Sequence, residues 1–252
     1  MLNYQIEGDG PPLLLCHGFG ISFNIWKELS PTLREHFMLV TVELPGIGCS
    51  PHPRPSRPYL NETVEALESL RAALGLDRWS VLGYSSGSRV AEAYLQNHAD
   101  RVKRAIFLCP ALTTWGKATG LRIAIRMNEH LPSMGNWVLS SWRIQFLIRL
   151  LGFNLRNNPA VDAWYAEITS QPVEILKETL RSMPDGGARP FIFPNQIQAL
   201  FIWGHEDWIT ATPNRLSTRD VVIHANHSAP QTSAHAVTES ILAFMLEDQT
   251  YS

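Results

Sequence analysis

The sequence predicts an α/β fold: a mostly parallel central sheet of about seven strands, with helices on both faces. Three observations carry that prediction. Short apolar runs alternate with helical periodicities across 1–110. Helical periodicity alone fills 111–195, and the strand-and-helix pattern resumes over 196–252. Such alternation implies crossover connections between parallel strands. The expected organisation is therefore a core, 1–110 and 196–252, interrupted by an all-helical cap at 111–195.

The elements follow in order. Asn3–Glu7 alternates as a short strand. Leu13–Cys16 is a continuous apolar run after Pro11-Pro12, as a strand buried on both faces requires. Phe23–Glu35 has helical spacing, and Phe37–Glu43 is a strand stopped by Pro45-Gly46. Pro51, Pro53, Pro55 and Pro58 stiffen the loop that follows, which superficially looks like a polyproline ligand. Leu60–Leu74 is an amphipathic helix with Gly75 as its stop. Trp79–Gly83 is a strand, Ser86–Asn97 a helix and Arg104–Leu108 a strand. Within the cap, helices are expected at Arg122–His130, Trp137–Leu151, Pro159–Thr169 and Val173–Ser182. Strands at Ala199–Trp203 and Asp220–His224 and a helix at Ser233–Leu246 complete the pattern. A brief, irregular helix is expected around Thr210–Ser217.

Composition excludes several function classes. Of 252 residues, 45% are hydrophobic and 17% charged, which suits a buried core rather than a disordered chain. Lys plus Arg number 21 and Asp plus Glu 23, so there is no basic footprint for nucleic acid. Three cysteines do not make a disulfide framework and point to a reducing compartment. No apolar stretch reaches the ~18 residues of a membrane span, and the first residues lack a signal-peptide pattern. The expected location is cytoplasmic, as a monomer or homodimer.

Gly83-Tyr84-Ser85-Ser86-Gly87 is a G-x-S-x-G motif. The five residues follow an apolar strand and open a helix, the setting in which a serine is held on a sharp turn at the sheet's carboxyl edge. A serine hydroxyl needs a base near neutral pH. Asp207, in Trp203-Gly204-His205-Glu206-Asp207, and His227, in Asn226-His227-Ser228, each follow a later strand. Both therefore fall at the same sheet edge as Ser85. Glu206, His224 and His235 are weaker alternatives for the acid and base. No H-E-x-x-H, paired cysteines, phosphate loop or dinucleotide fingerprint occurs, so neither a metal nor a cofactor is expected.

Five motifs in this order resemble the α/β-hydrolase superfamily: His17-Gly18-Phe19-Gly20, Leu44-Pro45-Gly46, the Ser85 turn, the Asp207 box and the His227 box. The resemblance spans nearly the whole chain outside the cap, and the pattern is similar to small serine carboxylesterases. It implies that the cap enters after the sixth strand of the family's usual order. It also implies a Ser85-Asp207-His227 triad and an oxyanion hole made by the backbone N–H groups of Phe19 and Ser86. Glu43 stands where the family usually has Asp. Serine at the turn argues against the haloalkane dehalogenase and epoxide hydrolase branches, which carry aspartate.

The implied activity is hydrolysis of an ester or thioester, free or carrier-bound. Two alternatives stay open: carbon–carbon bond hydrolysis, a lyase reaction or a cyclisation by the same triad, and ligand binding without catalysis. Candidate wall residues for a small-to-medium apolar acyl group are Phe19, Tyr84, Trp115, Trp137, Trp142, Trp164 and Trp208. The 111–195 span carries nine basic and six acidic residues. Arg122, Arg126, Arg143 and Arg149 among them are candidate contacts for an anionic group. His17 reads as a loop residue bonded to backbone, and Cys109 as a strand-end residue near the site.

Overall fold

The computed structural model describes residues 1–54, 56–111, 133, 166–182, 194–207, 209, 210, 212, 213 and 215–247. A seven-stranded sheet runs in the order β1-β3-β2-β4-β5-β6-β7. Its strands are β1 Tyr4–Glu7, β2 Pro12–Cys16, β3 Met38–Val42, β4 Trp79–Tyr84, β5 Val102–Leu108, β6 Gln198–Gly204 and β7 Asp220–Ile223. Every neighbouring pair is parallel except β1 with β3.

The apolar runs are continuous because the sheet is covered on both faces. Leu13, Leu15, Leu82, Ile106, Leu108 and Ile202 point to one face. There they meet Trp26, Leu29 and Leu33 of the segment after β2 and Val237 and Ile241 of the last helix. Leu14, Cys16, Val81, Ala105 and Phe107 point to the other, against the helices between β3 and β5. Those helices are α2 Tyr59–Ala73 and α3 Gly87–Asn97. On the first face lie α1 Ser30–Leu33, α5 Ala229–Thr232 and α6 Ala234–Leu246.

One expected helix is corrected. Phe23–Glu35 is not a single helix but a 3₁₀ turn, Phe23–Trp26, followed by α1. Pro31 has no N–H to donate and its ring resists a preceding helical turn, so it opens α1 instead of continuing a helix. The described residues around 209–217 form no helix.

Of the cap, α4 Val173–Ser182 has the boundaries its periodicity predicts, and 166–170 is helical just before it. Arg122–His130, Trp137–Leu151 and most of Pro159–Thr169 lie outside the described residues, as do Trp115, Trp137, Trp142, Trp164, Trp208, Arg122, Arg126, Arg143 and Arg149. Among the described residues, no helix is long and apolar enough to cross a membrane.

Chain direction decides where a site can form. From β2 the chain crosses to β3 on one side, and β4 lies on the other. In open parallel sheets the loops at the carboxyl ends of the strands beside such a change of direction are where a site can form. Cys16 is level with Gly83, Tyr84 with Leu108, and Gly204 with Ile223. The segments beginning at His17, Ser85, Cys109, His205 and His224 therefore leave the sheet at one edge.

Candidate active site

Ser85 has φ +51, a left-handed conformation that is unfavourable for a residue with a side chain. The strain is held by the turn around it. The Ser85 N–H donates to Leu108 O at 3.0 Å, and its own carbonyl accepts from Ser88 N–H at 3.1 Å and Ala111 N–H at 3.0 Å. Close backbone approach explains both flanking glycines. A Cβ on Gly87 would lie 2.3 Å from Cys16 O, and one on Gly83 would lie 2.6 Å from Gly87 O. Ser86 is the first residue of the turn into α3 and Gly87 its first helical residue. The loop after β2 passes close by: a Cβ on Gly18 would lie 3.2 Å from Ser85 Cβ.

His227 lies 142 residues further along the chain, and its Nε2 is 2.9 Å from Ser85 Oγ. Its Nδ1 is 2.7 Å from Asp207 Oδ2. A carboxylate only accepts, so Nδ1 carries the proton and the Nε2 lone pair faces the serine hydroxyl. All three side chains are buried. The loops bearing the histidine and the acid are laced together, with Glu206 N–H donating to Ala225 O at 3.0 Å. The histidine's own turn is held by Asn226 Oδ1, which accepts from Ser228 N–H at 2.9 Å and Ser228 Oγ–H at 2.7 Å.

Asp207 is fully engaged. Its Oδ1 accepts from Ile209 N–H at 2.8 Å and Thr210 N–H at 2.9 Å. Its Oδ2 accepts from Thr210 Oγ1–H at 2.5 Å as well as from His227. Burial works against its ionisation. The charge and hydrogen bond of His227 and the Thr210 bonds outweigh that, and the carboxyl is held below its ordinary range. An ionised acceptor behind the imidazole is what a base needs to stay oriented.

The remaining sequence candidates fall in different places. Phe19 is half-buried and packs on the apolar cluster that contains Ile168 and Leu176. Tyr84 is buried beneath the site, with its hydroxyl donating to His227 O at 2.6 Å. His17 bridges two loops: its Nδ1–H donates to Gly18 O at 2.9 Å and its Nε2 accepts from Leu44 N–H at 2.9 Å. Burial, partly offset by the Gly18 bond, lowers its pKa to about 4, so it is neutral near pH 7. Glu43 pins the loop after β3, accepting from Asn3 Nδ2 at 2.8 Å and Cys49 N–H at 2.7 Å. His224 pairs with Glu206 and His235 with Glu239 on the exposed surface. None of those four groups reaches Ser85 in the triad's place.

Cys109 is closer to the chemistry than its place at a strand end signals. It has φ +41, and its Sγ lies within 4.8 Å of the ligating atoms of Asp207 and His227. That trio is spaced as metal ligands are. However, the Asp207 oxygens already accept four bonds, and burial followed by the Asp207 charge pushes the Cys109 thiol well above its ordinary pKa. The same His227 and Asp207 atoms are engaged in the hydrogen-bond line to Ser85.

The family model for the alpha/beta hydrolase fold matches residues 11–216. Haloalkane dehalogenase 2 of Mycobacterium tuberculosis is 27% identical over 221 residues, covering 82% of this chain and 74% of that protein. The pimeloyl-[acyl-carrier protein] methyl ester esterase of Vibrio vulnificus is 35% identical over 105 residues, 42% of this chain and 39% of that protein. Several curated relatives are matched over about half of their own length or less. Among solved structures, a hydrolase from Oleispira antarctica superposes with a TM-score of 0.79 at 20% identity, covering 97% of this chain and 94% of that one. At that identity the likeness speaks to the fold.

Proposed function

Because the chain belongs to the alpha/beta hydrolase fold family, we propose that it is a serine hydrolase acting on a carboxylic ester or thioester. One observation carries the reading: Ser85 Oγ, His227 Nε2 and Nδ1, and Asp207 Oδ2 form a single line of hydrogen bonds at 2.9 and 2.7 Å.

The roles follow from that line. His227 Nε2 takes the Ser85 proton as the oxygen attacks the substrate carbonyl. Asp207 holds the ring and stabilises the imidazolium. Phe19 and Ser86 N–H groups receive the oxyanion, an interaction whose loss costs about 3 kcal/mol of transition-state stabilisation in comparable sites. His227 then gives its proton to the leaving alcohol or thiol. Water, deprotonated by the same nitrogen, attacks the acyl-enzyme and releases the acid and Ser85.

The relatives' names include dehalogenases and an epoxide hydrolase as well as esterases. Elementary chemistry favours acyl transfer for Ser85. A serine alkylated by a halide or epoxide becomes an ether, which water does not hydrolyse under these conditions. A serine that is acylated becomes an ester, which water does hydrolyse. We assign 1–110 and 196–252 to the catalytic core, 111–195 to a cap, and a small-to-medium apolar acyl group to the substrate. The partner is a small molecule, free or on a carrier.

A fluorophosphonate probe tests the reading. The native protein should gain one adduct, located by mass spectrometry on Ser85, and Ser85→Ala should gain none. Hydrolysis of short-chain esters, methyl esters and acyl thioesters should vanish with the same substitution. A native protein that stays unlabelled overturns the proposal in favour of ligand binding.

A further inference from the structure

We infer that Glu167 is a positioning residue for the reaction proposed above, hooking the loop that carries the Phe19 amide to the base of the inserted segment. The inference rests on the Ser85 reading. Glu167 Oε1 accepts from Ser22 N–H at 3.1 Å, across 145 residues of sequence, and from Asn24 Nδ2 at 3.3 Å. Ser22 Oγ in turn accepts from Asn24 N–H at 3.2 Å. Three bonds thus converge on the turn that ends the Phe19 loop.

The apolar contacts beside this hook have the same direction. Gly20 has φ +65, and a Cβ there would lie 2.9 Å from Leu176 Cδ2 and 3.1 Å from Ile168 Cγ1. The glycine next to Phe19 is therefore the floor on which the inserted segment sits. Ile168 and Leu176 are buried by that seating.

The segment has other anchors, which is why Glu167 is separable from its docking. Gln171 Oε1 accepts from Gly48 N–H at 3.2 Å. Ile175 fills the space beside Gly46, where a Cβ would lie 2.5 Å from Ile175 Cδ1. α4 also packs on α2. These contacts hold the segment to the loop after β3 and to α2. Glu167 is directed instead at the loop after β2, the one that supplies the oxyanion donor. A shift of about 1 Å in that donor is enough to cost a large part of its effect, because it must meet the oxygen only as charge develops.

The test uses the full chain and four proteins: wild type, Glu167→Ala, Glu167→Gln and Ser85→Ala. The readouts are the fluorophosphonate labelling constants kinact and KI, kcat and KM on p-nitrophenyl butyrate, and Tm. Glu167→Ala should lower kinact and kcat by about tenfold, with KI and KM changed by no more than about twofold. Its Tm should stay near that of wild type. Glu167→Gln keeps an amide oxygen that accepts both bonds and should recover most of the rate. Unchanged kinact in Glu167→Ala, a loss confined to KI and KM, equal losses in both variants, or a rate loss that follows a fall in Tm would each overturn the inference. Wild type left unlabelled, or Ser85→Ala labelled as readily, would instead sink the serine reading itself.

Discussion

Tyr84, the residue just before the left-handed serine, donates its phenolic O–H to the main-chain carbonyl of His227 at 2.6 Å. The two rings lie 5.4 Å apart. One strand residue thus fixes the backbone of the loop that brings the base to its neighbour. Tyr84→Phe leaves that buried carbonyl without this donor, at a cost of about 1–3 kcal/mol. Urea unfolding should show the loss, and kcat should fall several-fold while fluorophosphonate still labels Ser85.

Gly87 abuts the carbonyl of Cys16 so closely that no side chain fits without moving β2 or α3. Gly87→Ala is expected to destabilise the protein by about 1–3 kcal/mol, the usual range for overpacking against an unyielding neighbour. Thermal unfolding checks it. Gly75→Ala is the contrast, since nothing lies within 4 Å of its added carbon, although its φ of +67 still carries a local cost.

Asp207→Asn should reduce kcat by about 10³–10⁴-fold, because an amide N–H facing Nδ1 disfavours the tautomer that leaves Nε2 as base. It should also change acid stability. The folded carboxyl titrates below its ordinary 3.8. Its contribution is therefore present above about pH 4 and lost as pH falls through the lower folded value. Denaturant unfolding at a series of acidic pH values should show a steeper loss in wild type than in Asp207→Asn.

His17 has the opposite chemistry and the same direction of pH effect. Burial lowers its pKa from 6.5 to about 4. The unfolded chain takes up the proton first, so stability is complete above about pH 6.5 and declines by about 1.4 kcal/mol per pH unit toward pH 4. His17→Gln should be less stable at pH 7 yet lose less on acidification. Measuring unfolding free energy at pH 7, 6, 5 and 4 for both proteins checks the slope.

Local rules made much of this molecule legible. Leu13–Cys16 has no polar alternation because both of its faces are covered, and that run reads as a central strand before any neighbour is known. Val173–Ser182 shows its boundaries through periodicity alone. The Gly83–Gly87 turn is legible because tight turns restrict residue type. Pro31 carried the information that divides Phe23–Glu35, although helical spacing on either side of it masked the break. Cys109 was legible as a strand-end residue near the site, but Glu167 had no comparable signal: an ordinary helical carboxylate looks the same wherever it points.

Sequence by itself determined the order of the seven strands and the chemistry available at their ends, since hydrophobic period, glycine and proline act over a few residues. Tertiary structure alone decided which ends meet. Strand order placed β2 beside β4, and register levelled Ser85 with the loops of Asp207 and His227. The Tyr84 bond to His227, the Cys109 contact with Asp207 and the reach of Glu167 to Ser22 depend on that assembly. They join residues roughly a hundred or more positions apart, a distance over which no local preference acts.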